Sequence, residues 1–429
     1  MTSTPTPSER RRPELGLIGT IALGLGSIVG TGVFVSIGIG AGITGPSVLV
    51  AIAIGALVAL CNGLSSAQLA ASHPLSGGTY QYGYEYASPA IGFTAGWMFI
   101  CAKSATAATA ALGLAGYLLN ALAQTASITP VALAAVLALT LISLLGINRT
   151  NKVNIAIVAA TLCSLIAFIV AGAPSALSNL HLTPFLGDDG WSALLHASAL
   201  MFVAYTGYGR IATLGEEVRQ PRKTIPRAIV AVLLISMMLY IGVGAIAIAA
   251  VGSEAFYATT MDKAAPLKVI AQSFDAPGVS WLLAIGAITA MAGVLLNLIL
   301  GLSRVLLAMG RRGDMPRALA RLNRNQTTPS IAVAVVGLAI AGLVLIGNIK
   351  TTWSFSAFTI LVYYAITNFC ALRLSADQRL YPRWIAIVGL VACLGLAFFV
   401  ERTIWLSGLG LLLLGWCWHR VAQRRRTKA

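Results

Sequence analysis

Acidic side chains are the scarcest chemistry in this chain. Asp and Glu together number 13 in 429 residues, and charged residues of all kinds make up 10%. None of those acids falls within a long apolar run away from its ends, which argues against a membrane enzyme built on clustered carboxylates at depth. Histidine is nearly as rare: His73, His181, His196 and His419 show no metal-ligand spacing. The six cysteines (Cys61, Cys101, Cys163, Cys370, Cys393, Cys417) lie in apolar segments without a C-x-x-C pair. They read as small core hydrophobes, so no metal site, cofactor or disulfide framework is expected. No clear cleavage site follows the first apolar segment, so no cleavable signal peptide is expected.

Apolar residues fill the space these absences leave. They make up 58% of the chain, and mean hydropathy is +0.84, values of a polytopic membrane protein. Runs long enough to span a bilayer core, about 20 residues, occur near 15–43, 46–71, 90–122, 129–147, 152–172, 191–214, 226–251, 278–309, 329–348, 352–373, 382–400 and 402–419. The expectation is an all-α integral membrane protein of twelve transmembrane helices, with a polar tail at 1–14 and a basic tail at 420–429.

The formal net charge of +16 could suggest a nucleic-acid partner, but its distribution argues otherwise. With the N-terminus inside, 22 of the 29 Lys and Arg residues fall in inner segments and four in outer loops (Lys263, Lys268, Lys350, Arg402). Lys103, Arg210 and Arg304 remain within or at the ends of spans. That bias is a positive-inside signal. It places both termini in the cytoplasm of a plasma-membrane protein and turns the basic excess toward anionic lipid headgroups.

The first span is interrupted by glycine: Gly26-Ser-Ile-Val-Gly-Thr-Gly-Val-Phe34. Each helical glycine costs about 1 kcal/mol of propensity, so such a run needs a reason. One is close helix packing through small residues. The other is a discontinuous helix, whose broken backbone offers carbonyls to a cation and N–H groups to an anion. The sixth span is also interrupted, at Phe202-Val-Ala-Tyr-Thr-Gly-Tyr-Gly-Arg210, and long connectors follow both the second span (73–89) and the seventh (252–277). Spans 1–5 (15–172) and 6–10 (191–373) therefore read as two halves. Five spans per half require opposite orientations, and paired broken helices point to a midplane binding site. Spans 11 and 12 (382–419) lie outside the repeat.

These residues resemble the amino acid–polyamine–organocation superfamily of permeases over essentially the first ten spans. The similarity rests on the glycine run, on Ala204-Tyr-Thr-Gly-Tyr-Gly-Arg-Ile-Ala-Thr-Leu-Gly-Glu-Glu-Val-Arg-Gln-Pro221 followed by Ile225-Pro226, and on Gly301-Leu-Ser-Arg-Val-Leu-Leu-Ala-Met309 with Gly313-Asp-Met-Pro316. The resemblance implies a leucine-transporter-type five-plus-five inverted repeat with discontinuous helices 1 and 6, and secondary transport of amino acids or related amines. It places the substrate carboxylate at the N–H groups of Gly30, Thr31 and Gly32. The ammonium falls at carbonyls near Ser27, Ile28, Phe202, Val203 and Tyr205, beside Gly207. Tyr205 and Tyr208 flank the second break as candidate gates, with ordinary packing as the alternative. Glu216 is a candidate inner gate, and Glu217 a solvated partner of Arg219, Arg222 and Lys223.

Lys103 lies about 16 Å along the third span from Gly92 at 1.5 Å per residue, near midplane. A lysine at that depth marks a functional site, here a proton-coupling candidate, against the alternative of snorkelling or capping broken backbone. Some proton-coupled relatives carry a lysine in the fifth helix where sodium-driven ones hold sodium. Thr161 aligns there, while Ala292 and Gly293 replace the hydroxyl ligands of the eighth helix, which argues against sodium coupling. Asn297 reads as interhelical glue. Neutral amino acids are the expected substrates, because no acidic side chain faces the pocket to hold a second ammonium. A cationic amino acid or polyamine exchanger, or a transporter-like nutrient sensor, is the alternative. An ion channel would need a symmetric polar filter.

Overall fold

Helix α1 (Leu17–Ile28) stops within the glycine run, at Val29, whose φ of −77° and ψ of 106° are extended. The chain resumes as a wide π-type turn over Gly32–Ser36 and then as α2 (Ile37–Thr44). The structure, a computed structural model, describes residues 15–73, 77–146, 151–186, 190–212, 218–323 and 327–426, the side chains of 151, 152, 425 and 426 excepted. Glu216 and Glu217 lie outside the described residues.

An apolar sequence in lipid must satisfy every backbone group internally, which leaves helices as the economical answer. The order continues α3 (Val48–Ser72), α4 (Thr79–Tyr86), α5 (Pro89–Ala121), α6 (Ile128–Leu144), α7 (Asn151–Asn179), α8 (Gly190–Tyr205), α9 (Gly209–Ala212) and α10 (Pro221–Val251). Then come α11 (Ser253–Lys263), α12 (Pro266–Ala271), α13 (Val279–Arg312), α14 (Ser330–Ile346), α15 (Ile349–Leu372), α16 (Arg383–Phe399) and α17 (Arg402–Arg426). The described residues form no strand; an isolated bridge pairs Leu15 with Val218, where the Arg219 N–H donates to the Leu15 carbonyl at 3.0 Å.

Each expected span coincides with a helix or a pair of half-helices, and among the described residues seven stretches are long and apolar enough to cross a bilayer by themselves. Leu17–Ile28, Ile128–Leu144, Ser330–Ile346 and Arg383–Phe399 are shorter. The fifth helix runs on to Asn179, beyond the hydropathy boundary at 172. Hydropathy falls there, but small residues carry the helix ladder onward through Pro174.

Helix α5 is the hub. Its most apolar window is 83% buried, against 22% for α17, and it packs on α13, α15, α4 and α6. The sequence explains the placement: Ala102 to Gly116 is almost entirely Ala, Gly, Ser and Thr apart from Lys103, Leu112 and Leu114, and small residues let helices approach closely. Thr106 and Thr109 fill the seam with hydroxyl pairs to Ser356 (2.7 Å) and Thr352 (2.8 Å) of α15.

At the end of the bundle where α5 begins, α4 crosses it with Gly83 against the Gly92 backbone. The Tyr80 and Tyr84 hydroxyls both donate to the buried Asp314 carboxylate, at 2.6 and 2.7 Å. Burial and the neighbouring carboxylate hold the Tyr80 phenol well above its ordinary pKa. Arg312 lies 3.9 Å over the Tyr84 ring and donates to Gln81 Oε1 at 2.6 Å. The Trp418 indole donates to the Asp314 carbonyl at 2.9 Å, so the outlying helix α17 joins the same knot. An unpaired buried hydroxyl costs about 1–3 kcal/mol. Asp314→Ala is therefore expected to lower the unfolding temperature in detergent by several degrees, followed by tryptophan fluorescence. Unchanged unfolding would show that the knot carries no stability.

Candidate functional site

The two interruptions meet. Helix α8 ends at Tyr205, tightens into a 3₁₀ turn over Thr206–Tyr208 and resumes as the short α9. Gly207 in that turn presses on the first break so closely that a Cβ would overlap the Ser27 carbonyl and the Ile28 nitrogen. A Cβ on Gly32 would sit 2.6 Å from Ala204 Cβ, and one on Gly30 would sit 2.8 Å from Val294 Cγ2 of α13. Gly24 and Gly26 behave differently. They lie inside α1, and their missing side chains admit Ile211 of α9 and Val158 of α7. The first span is thus both interrupted and closely packed at its glycines.

The backbone inventory follows from the interruption. Four N–H groups at a helix start have no acceptor in the preceding turn. Val33 and Phe34 return theirs to the Gly30 carbonyl at 3.1 and 3.3 Å, and Gly30, Thr31 and Gly32 precede them in the break. The buried Thr31 hydroxyl beside them has no hydrogen-bond partner among the described residues. On the carbonyl side, the Ile28 oxygen accepts from the Tyr240 hydroxyl at 3.0 Å, and the same hydroxyl stands 3.4 Å from the Ala204 carbonyl. One side chain of α10 thus spans both half-helix ends. The Val203 carbonyl accepts from Thr206 Oγ1 at 2.8 Å.

Lys103 reaches the second interruption. It is 7% exposed, and its Nζ donates to Thr206 Oγ1 at 2.7 Å. The contact is to a side-chain hydroxyl of the turn rather than to a backbone carbonyl. The tyrosines form a ring of contacts around the same turn. Tyr205 donates to the Ile52 carbonyl at 3.2 Å and stacks obliquely on Tyr240 at 5.3 Å. Tyr208 lies 5.5 Å from Tyr364 of α15, whose hydroxyl stands 3.5 Å from the Thr206 carbonyl; Phe202 meets Tyr364 edge-on. Thr206, Tyr240 and Tyr364 were not singled out from the sequence. Tyr240 did carry a signal, as the lone tyrosine in a span of aliphatic residues.

A cavity of about 10 Å³, room for a single water, lies between α1, α7 and α13. Thr161 and Gly293 line it, and Ala292 does not. Ala290, Gly293 and Asn297 share the stripe of α13 that faces it, three and four residues apart, and Ala292 falls off that stripe. Asn154 and Asn297 bring amide groups to the lining, so Asn297 has a polar space to face as well as a neighbouring helix.

Comparison with known proteins carries the same geometry to a family. Residues 19–421 match the family described as Amino acid permease. The chain belongs to that family. An uncharacterized transporter of Mycobacterium tuberculosis is 40% identical over 412 residues, covering 95% of this chain and 91% of that one. The branched-chain amino acid permease BcaP of Bacillus subtilis is 28% identical, covering 76% of this chain and 72% of its own. The vacuolar cationic amino acid transporter 4 of Arabidopsis thaliana is 24% identical, covering 76% and 58%. The family and these relatives are transporters rather than enzymes, and this permease is a multi-pass membrane protein.

The meeting of the breaks is open to substitution. Gly207→Ala places a methyl group into the Ser27 carbonyl, so transport is expected to fall at least tenfold while the protein still reaches the membrane. Tyr240→Phe removes one hydroxyl donor, worth about 1 kcal/mol, and is expected to reduce transport severalfold. Wild-type uptake by both variants in cells that express them equally would show that the contact does not matter.

Proposed function

We propose that this permease is a secondary active transporter of neutral amino acids that works by alternating access. The observation that carries the proposal is the direct contact of two interrupted helices, one from each half of the chain. N–H groups of Gly30, Thr31 and Gly32 would take the substrate carboxylate, as helix starts take anions. Carbonyls at Ser27, Ile28, Phe202, Val203 and Tyr205 would take the ammonium, with Gly207 allowing the approach. Tyr205 and Tyr208, packed against Tyr240 and Tyr364, would move when the pocket opens, and Glu216 would act at the inner exit. The frame is two oppositely oriented five-helix halves, 15–172 and 191–373, with all twelve apolar segments crossing a plasma membrane and both termini in the cytoplasm.

Two features favour a neutral side chain. Among the described residues no acid touches either break, and Lys103 would repel a second cation. The name of the branched-chain relative points the same way, while that of the vacuolar relative keeps a cationic substrate as the alternative. Coupling would run through a proton on Lys103 or through exchange. Ala292 and Gly293 bring no hydroxyl to a sodium ion between α1, α7 and α13, and we propose that transport does not depend on it.

Uptake and exchange of a radiolabelled panel of neutral, cationic and acidic amino acids into proteoliposomes tests this directly. Neutral amino acids are expected to move, with rates unchanged when choline replaces sodium, and Lys103→Ala is expected to abolish transport or remove its pH dependence. A sodium-stimulated rate would overturn that independence of sodium. Failure of every amino acid under every imposed gradient would overturn the proposal itself.

A further inference from the structure

The mechanism leaves one question open: whether the proton and the amino acid travel together or in opposite directions. Lys103 and the substrate ammonium share a neighbourhood. Thr206 Oγ1 accepts from Lys103 Nζ at 2.7 Å and gives its own proton to the Val203 carbonyl at 2.8 Å. That carbonyl is one of the groups proposed for the ammonium, and Thr206 sits in the turn that Gly207 presses onto Ser27 and Ile28. Among the described residues the region supplies no counter-charge. Helix α13 has no charged residue from Val279 to Ser303, and α1 and α2 have none at all. The turn itself carries Tyr208, and α8, α10 and α15 bring Tyr205, Tyr240, Tyr363 and Tyr364 around it, with Arg210 next along α9. Among the described residues the one ion pair is Lys350–Glu401, elsewhere.

We infer that a protonated Lys103 and a bound amino acid ammonium exclude one another at the Thr206 turn, so that this permease exchanges amino acid for proton. The inference rests on the binding mode proposed above. Two ammonium groups beside one turn, with the substrate's own carboxylate turned away to Gly30, Thr31 and Gly32 and no acidic side chain among the described residues between them, repel strongly in a low dielectric, whereas a neutral amine accepts beside an ammonium without that cost. The zwitterion binds, Lys103 loses one proton to water on that side, and its Nζ is left as a neutral amine. After the pocket opens to the other side the amino acid leaves and Lys103 takes one proton there. The protonated, empty carrier returns. One amino acid crosses one way and one proton the other, with charge and atoms balanced. An inward proton gradient therefore drives the amino acid outward.

Purified full-length protein in detergent tests this with L-leucine as the probe. Leucine binding is followed by scintillation proximity, and protons are followed by a pH-indicator dye in weak buffer. The expected result is release approaching one proton per leucine bound, and affinity that tightens up to tenfold per pH unit as pH rises, the slope that one released proton imposes. Lys103→Met is expected to bind leucine with no proton release and no pH slope. Lys103→Arg, which keeps a charge that does not titrate, is expected to bind more weakly at every pH and release none. Binding with proton uptake, or with affinity that tightens as pH falls, would overturn the inference and leave the transport reading standing. No binding by leucine or any other standard amino acid would overturn both.

Discussion

A helix cut in two inside a membrane leaves four carbonyls and four N–H groups without partners, and lipid offers none. The fold of this permease follows from how it meets that constraint. It does not spread the two interruptions apart but sets them against each other, with Gly207 on the Ser27 carbonyl and Gly32 on Ala204. Tyr240 then serves an acceptor on each side with a single hydroxyl, and Thr206 caps Val203. The proposed site is made of what this meeting gathers, backbone N–H groups of one half-helix and carbonyls of the others, and it would meet an amino acid's head without any acidic side chain.

The same economy explains where the one deep charge sits. A lysine in an apolar bundle is expensive, and α5 buries Lys103 among alanine, serine and threonine. The place where it costs least is beside oxygen atoms that already lack full partners, at the end of an interrupted helix. Lys103 finds Thr206 there. The hydroxyl pairs from α5 to α15 hold the helix that carries it, so the lysine's position is set by a seam of small polar residues rather than by a counter-ion.

Much of this was legible before any coordinates. Glycine at 26, 30 and 32 and again at 207 marked both interruptions, because glycine is costly in a helix that only has to span. Lys103 stood out because charge inside an apolar run is rare. The partners were not legible. That Gly24 and Gly26 accommodate Ile211 and Val158 depends on which helices are neighbours, and hydropathy is silent on that. Tyr240 and Thr206 belong to residue types that also fill ordinary membrane helices, so only contact with a broken backbone gives them meaning. Helical phase is equally hidden in an alignment: the stripe of α13 that faces the small cavity runs through Ala290, Gly293 and Asn297.

The two half-helix pairs are not held alike, and the difference has a physical origin. Beyond the breaks, α2 lies against α11, with Gly38 under Thr260 and Gly42 under Tyr257, and Tyr117 donates to the Phe34 carbonyl. Those contacts are numerous, close and largely apolar, and parting them would expose packed surface. On the side of the N-terminus, α1 meets α9 through Gly24 and Ile211, and its start pairs with the chain after α9 through the Leu15–Val218 bridge. A backbone hydrogen bond that exchanges with water contributes only about 1 kcal/mol net, whereas a buried large side chain contributes about 2–3. Of these contacts the Leu15–Val218 bridge therefore costs least to part, while α1 itself stays packed on α10 and α7.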